Sequence, residues 1–116
     1  MEQQQQFQVV YMEEVVQFLD SLPSVARNKI VYNIRKVSSG FRSADLFKKL
    51  DGAEDIWEFR TLYEGIQYRL LAFWDKEQQR IVVATHGFVK KTWKVPAKEI
   101  ERAEALRQAY YESNKL

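Results

Sequence analysis

The chain has 116 residues, 46% of them hydrophobic and 29% charged, which allows one hydrophobic core and not two. No apolar run approaches the roughly 18 residues needed to span a bilayer. The formal charge of +2 is too small to mark a nucleic-acid binder by itself, while zero cysteines and a single histidine, His86, exclude disulfides, thiolate chemistry and a histidine-rich metal site.

The opening Met1-Glu2-Gln3-Gln4-Gln5-Gln6 has neither a basic nor an apolar stretch, so it is expected to be a frayed lead-in and not a secretory signal. Phe7 to Tyr11 is β-prone and partly alternating, which predicts a first strand. From Met12 to Leu22 the spacing of Val15, Val16, Leu19 and Leu22 predicts a helix with one apolar face. Pro23 opens a second helix, where Ile30, Ile34 and Val37 recur at helical spacing until Ser38-Ser39-Gly40 ends it. The pair is expected to form a hairpin over one face of a sheet. A loop should follow from Phe41 to Glu54, with a turn at Asp51-Gly52. Three strands are then predicted, Ile56 to Tyr63, Ile66 to Asp75 and Arg80 to Val89. Their separators are too short for parallel crossovers, so they should be antiparallel neighbours. Beyond Pro96, Ile100, Ala103, Leu106 or Arg107, and Tyr110 mark a C-terminal helix. The order β-α-α-β-β-β-α is that of an α+β domain, expected to take in residues 1–116 as one unit.

Charge is concentrated in the strands. From Arg60 to Lys94 the bases Arg60, Arg69, Lys76, Arg80, Lys90, Lys91 and Lys94 face only Glu64, Asp75 and Glu77. Alternation puts Trp57, Phe59 and Thr61 on the core face of their strand, and Glu58, Arg60 and Leu62 on the opposite, solvent-facing side. In the next strand Arg69 shares a face with Gln67, Leu71 and Phe73. A charge in so apolar a strand needs either an anionic ligand or a partner such as Glu58 or Glu54 across the hairpin. His86 stands at a strand end beside Gly87, where it is either a hydrogen-bonded structural residue or a proton-transfer group. Lys90, Lys91 and Lys94, with Trp93 between them, form either a solvated basic turn or a surface for phosphates and bases. Two arginines and three lysines near one face of a sheet suit a polyanion better than a small neutral substrate.

Leu50-Asp51-Gly52, Ile56-Trp57-Glu58-Phe59-Arg60, Tyr68-Arg69-Leu70-Leu71, His86-Gly87-Phe88-Val89-Lys90-Lys91-Thr92, and Pro96 with Glu99 to Ala103 occur in that order. Together they resemble the RelE/ParE toxin superfamily, in particular its HigB-like, phage-associated branch, over about Phe7 to Tyr110. The resemblance implies a cytoplasmic toxin of a type II toxin–antitoxin system. Such a toxin is a ribosome-dependent mRNA endonuclease, needs no cofactor or metal, and is neutralised by a helix-turn-helix antitoxin. It implies catalytic roles for Arg60, Arg69, His86 and Lys91, and RNA contacts for Lys90, Lys94 and Glu58. His86 or Glu58 would serve as general base or acid. The catalytic tyrosine of many relatives is matched by neither Tyr110 nor Tyr111. Leu71, Phe73 and the outer side of the C-terminal helix are candidate antitoxin contacts. The same fold also serves ParE-like toxins, which inhibit gyrase and cut nothing, and a prophage remnant that only binds its antitoxin is a further alternative.

Overall fold

The computed structural model describes residues 6–113. The lead-in expected over residues 1–6 lies, apart from Gln6, outside them. The chain runs β1 (Gln8–Tyr11), α1 (Glu13–Asp20), α2 (Ser24–Ser38), β2 (Phe47–Lys49), β3 (Trp57–Tyr63), β4 (Ile66–Trp74), β5 (Ile81–Lys90) and α3 (Ala97–Ser113). Its strands form one sheet of order β1-β5-β4-β3-β2. Only β1 runs parallel to its neighbour, pairing Gln8 with Ile81 and Tyr11 with Ala84. The α+β class and the element order are those expected, with one addition. Strand β2 forms inside the anticipated Phe41–Glu54 loop, where Phe47, Lys48 and Lys49 pair with Phe59, Glu58 and Trp57. Three residues are too few to show alternation, so β3 supplies the order that the local sequence lacks.

Helices α1 and α2 cover one face. Glu13 and Glu14 occupy the first turn of α1, where the helix dipole favours acids, and Val15 and Leu19 are its buried residues. Pro23 is the N-cap of α2, and Ala26, Ile30, Ile34 and Val37 carry its buried stripe. They pack on Phe59, Tyr68, Leu70, Ala72, Val82 and Ala84 of the sheet. Each such aliphatic side chain contributes about 1.5–3 kcal/mol by leaving water. Asn33 is buried with them, and its Nδ2 donates to Thr61 Oγ1 at 3.1 Å, which ties α2 to the back of β3. Glu64 and Gly65, with φ of 49° and 78°, make the β3–β4 turn, a left-handed pair whose twist matches that of the flanking strands.

An irregularity in β5 decides what the second face carries. Leu71 pairs with His86 but Ala72 with Ala84, so Thr85 is an extra residue, and its hydroxyl donates to Leu71 O at 3.1 Å. Before the bulge Val82 and Ala84 face the helices. Beyond it Gly87 and Val89 take that side, and His86, Phe88 and Lys90 are turned to the other. Gly87 lies directly beneath the Phe18 ring of α1, and a Cβ there would fall inside that ring.

The second face departs from the solvent-facing surface expected of it. Helix α3 lies across part of it, packing the buried Ala103 with Ile56 and Leu71, while Tyr110 and Tyr111 pack against Phe73. Leu71 and Phe73 are fully buried and offer nothing to an outside partner, which corrects their expected place at an antitoxin contact. Glu58 and Arg69 are buried as well. Among the described residues no helix is long and apolar enough to cross a membrane.

Candidate functional site

Where α3 ends its cover, the second face opens as a basic surface. Cross-strand pairing puts Lys48 beside Glu58, Arg60 beside Arg69, and Gln67 beside Lys90. Two arginines directly opposite each other repel, and only a shared anion makes the pairing stable. Glu58 is that anion. Its Oε1 lies 3.3 Å from Arg60 Nε and its Oε2 lies 3.7 Å from Arg69 Nε. The expected alternative of a Glu58 partner for Arg69 across the hairpin is therefore present, and Arg60 shares it. The two arginines differ in access. The Arg60 side chain is 28% exposed and that of Arg69 only 3%.

The remaining donors of the two guanidinium groups are directed apart. Arg60 Nη1 donates to Ala44 O at 3.0 Å, whereas Arg69 donates to Tyr68 O at 3.3 Å and to Gln67 Oε1 at 2.7 Å. Glu58 Oε2, Arg60 Nε and Arg69 Nε are buried yet make no well-directed hydrogen bond. Buried charged atoms that meet only at ionic distance, without a directed hydrogen bond, repay little of their desolvation. Those three atoms are a local cost to the fold, and such sites are where function is sought first. Burial lowers the Arg69 pKa, and Arg60 pushes it further down against Glu58, though a guanidinium remains charged regardless. The Lys90 ammonium is also held below the ordinary lysine value, by burial first and then by Arg69, Arg60 and Lys48, with Glu58 opposing.

Beside this cluster lies a groove of about 1020 Å³, lined by Lys48, Glu58, Arg60, Lys90, Trp93 and Lys94 among others. Its floor is the β2–β3 edge and its wall the segment from β5 into α3. Trp93 is 93% exposed, an indole presented to water with no packing role. Lys48 is the residue that sequence reasoning missed. Its only signal was the Lys48-Lys49 pair within Phe47 to Leu50, which reads as a turn until β2 is known. Cations around a concave surface with an exposed aromatic ring can hold phosphates and a stacked base. Among the described residues no group of three or more His, Cys, Asp or Glu could hold a metal ion.

A family model described as phage derived protein Gp49-like matches residues 17–108, most of the chain. The chain belongs to the Gp49-like family. A solved structure of a double-arginine mutant of the E. coli toxin RelE in the free state has the same fold. Its TM-score is 0.60 at 18% identity, over 88% of this chain and 97% of that one. No curated protein sequence matches.

In this Gp49-like chain the remaining expected residues lie apart from the groove. His86 is buried under α3, its Nε2 3.0 Å from Glu99 Oε1 and its Nδ1 3.1 Å from Thr85 Oγ1. Burial lowers its pKa, and Arg102 adds to that while Glu99 and Glu14 oppose. An RNA strand in the groove would not touch it, so the catalytic part expected of His86 has no geometric support, and its position is that of a hydrogen-bonded structural residue. Lys91 is exposed and is not among the residues that line the groove with Lys90 and Lys94. Tyr110 and Tyr111 are occupied elsewhere. Tyr110 donates to Asp75 Oδ2 at 2.7 Å, and the Tyr111 hydroxyl accepts from Lys76 N at 2.9 Å, which fastens the end of α3 to the β4–β5 turn.

Proposed function

We propose that this Gp49-like protein is a HigB-like toxin of a type II toxin–antitoxin system that cuts mRNA on the ribosome. The observation that carries the reading is the Arg60–Glu58–Arg69 cluster opening onto a groove ringed by Lys48, Lys90 and Lys94. The E. coli toxin RelE shares the fold.

The chemistry is attack of a ribose 2′-OH on its neighbouring phosphorus. The P–O2′ bond forms as the P–O5′ bond breaks, leaving a 2′,3′-cyclic phosphate and a free 5′-OH. Charge gathers on the non-bridging oxygens, and fixed cations aimed at them lower the barrier. Arg60 is the guanidinium exposed to do this, and with Nε at Glu58 and Nη1 on Ala44 O it is Nη2 that would meet a phosphate oxygen. Arg69, turned toward Gln67 and Tyr68, holds Glu58 and so positions Arg60. Lys90, with its lowered pKa, is the proton donor to the leaving oxygen. Glu58, fixed between two cations, is the candidate acceptor for the 2′-OH proton. The ribosome supplies the alignment of 2′-OH and phosphate that this open groove lacks. A cognate helix-turn-helix antitoxin is the partner that keeps the toxin in check in the cytoplasm.

The test is expression in bacteria with 5′-end mapping of mRNA, for the native protein and for Arg60→Ala. In-frame cuts that disappear with Arg60→Ala, together with relief of growth arrest, are expected. Growth arrest with DNA-damage signalling and uncut mRNA would instead mark a gyrase inhibitor and sink the nuclease reading. No arrest at all would leave an antitoxin-binding remnant.

A further inference from the structure

On the far side of Arg60 a second cleft opens between α2 and the β3–β4 hairpin. Its cavity of about 500 Å³ is bounded by Lys29, Tyr32 and Lys36 of α2 and by Arg60, Leu62 and Gln67 of the hairpin. Asp45 is the only acid among its lining residues. Tyr32 is 60% exposed and Leu62 66%, two large apolar surfaces that contribute little to the core. Lys29 Nζ lies 5.6 Å from the centre of the Tyr32 ring. Gln67 Oε1 already accepts from Arg69, so the amide NH2 is the part of that side chain left to donate at the rim. Arg60 borders this cleft and the larger groove alike, which makes the two continuous across one guanidinium.

We infer that the cleft is a nucleobase subsite, an inference that rests on the RNA reading above. Single-stranded RNA crossing Arg60 from the larger groove lays a neighbouring base against Tyr32 and Leu62, while Lys29 and Lys36 meet the adjoining phosphate. The assignment to RNA follows from three features together. The wall carries an excess of cations, an exposed ring offers a stacking face, and the cleft continues the surface that grips phosphate. Stacking on an aromatic ring tolerates any base, so the subsite adds grip and not sequence choice, except for the single donor at Gln67.

The experiment measures binding of a 5′-labelled uridine hexamer with 2′-fluoro sugars, which block self-cleavage, to the full chain by fluorescence anisotropy. Tyr32→Ala is expected to weaken binding about tenfold, as loss of one stacked base does. Tyr32→Phe should bind like the native chain, with an unchanged melting temperature in both variants. An abasic residue at one position of the hexamer should erase the difference between native protein and Tyr32→Ala. Native affinity in Tyr32→Ala, with weakened binding in Arg60→Ala, would overturn the subsite and leave the RNA reading standing. Absence of binding by the native chain while it still cuts mRNA in cells would overturn the subsite alone, and absence of both would overturn both.

Discussion

Lys90 and Arg60 stand within one electrostatic cluster but owe their properties to different causes. Arg60 is held by Glu58 and Ala44, whereas the Lys90 pKa is lowered by burial and by Arg69, Arg60 and Lys48, with Glu58 opposing. A lysine tuned in this way suits proton transfer, because it gives up its proton more readily than an ordinary ammonium. Lys90→Arg keeps the charge but removes a transferable proton. It should therefore bind mRNA-loaded ribosomes like the native protein and cleave about 10²–10⁴-fold more slowly in single-turnover assays. Equal loss of binding and rate would reduce Lys90 to a phosphate contact. Much of this site was legible from residue order. The alternation of Glu58, Arg60 and Leu62 against Gln67, Arg69 and Leu71 placed the arginines on one face and offered Glu58 or Glu54 as a partner, of which the structure has Glu58. The position of Lys90 was not legible, because the bulge at Thr85 sets it, and nothing in Ala84-Thr85-His86-Gly87 marks an extra residue. For His86 the choice between a hydrogen-bonded structural residue and a proton-transfer group stayed open in the sequence for a related reason. Its burial depends on α3 folding back over the sheet, and local sequence says nothing of that return.

Strands and helices were readable wherever the apolar period was long enough, as in α2 and in β3 to β5. The exceptions are β2, which exists only by pairing, and the cover provided by α3, whose sole fully buried side chain is Ala103. So thin an apolar contact means that polar links fix α3 in place, from His86–Glu99 at one end to Tyr110–Asp75 at the other. Asp75 is suited to its part. Burial would raise its pKa, but the bonds from Tyr110 and from the backbone N–H groups of Gln78 and Glu77 outweigh it, and the pKa is lowered. At His86 the folded pKa is also depressed, below 6.5, so the unfolded chain binds the proton more readily. The stabilisation is complete above about pH 6.5. It is lost as pH falls through the folded value. Urea midpoints are expected to drop below pH 6.5 in the native chain and to vary less in His86→Asn. An identical pH dependence in both would dissociate α3 docking from this histidine. On the other face, Gly87→Ala should destabilise by about 1–3 kcal/mol, since a methyl group would intrude on Phe18. Adding Phe18→Ala should recover part of that loss beyond additivity, and strict additivity would mean that the ring does not need the glycine.

The molecule as a whole divides its two faces by task, with helices sealing one and cations concentrated on the open part of the other. A net charge of +2 hides this separation. Binding to ribosome or RNA should therefore weaken steeply with salt, as counterions are released. Lys48→Ala, Lys90→Ala and Lys94→Ala should each reduce the slope of log affinity against log salt by about 0.7–0.9. Unchanged slopes would show that the groove does not neutralise phosphate. The connectivity of the sheet has a consequence of its own. Residue 8 finds its parallel neighbour only at residue 81, so the earliest strand to emerge in synthesis must wait for nearly the last before it can be zipped in. The seam between β1 and β5 is thus the last of the sheet to close, and Arg60, whose partners Ala44, Glu58 and Arg69 all precede residue 81, does not wait for it.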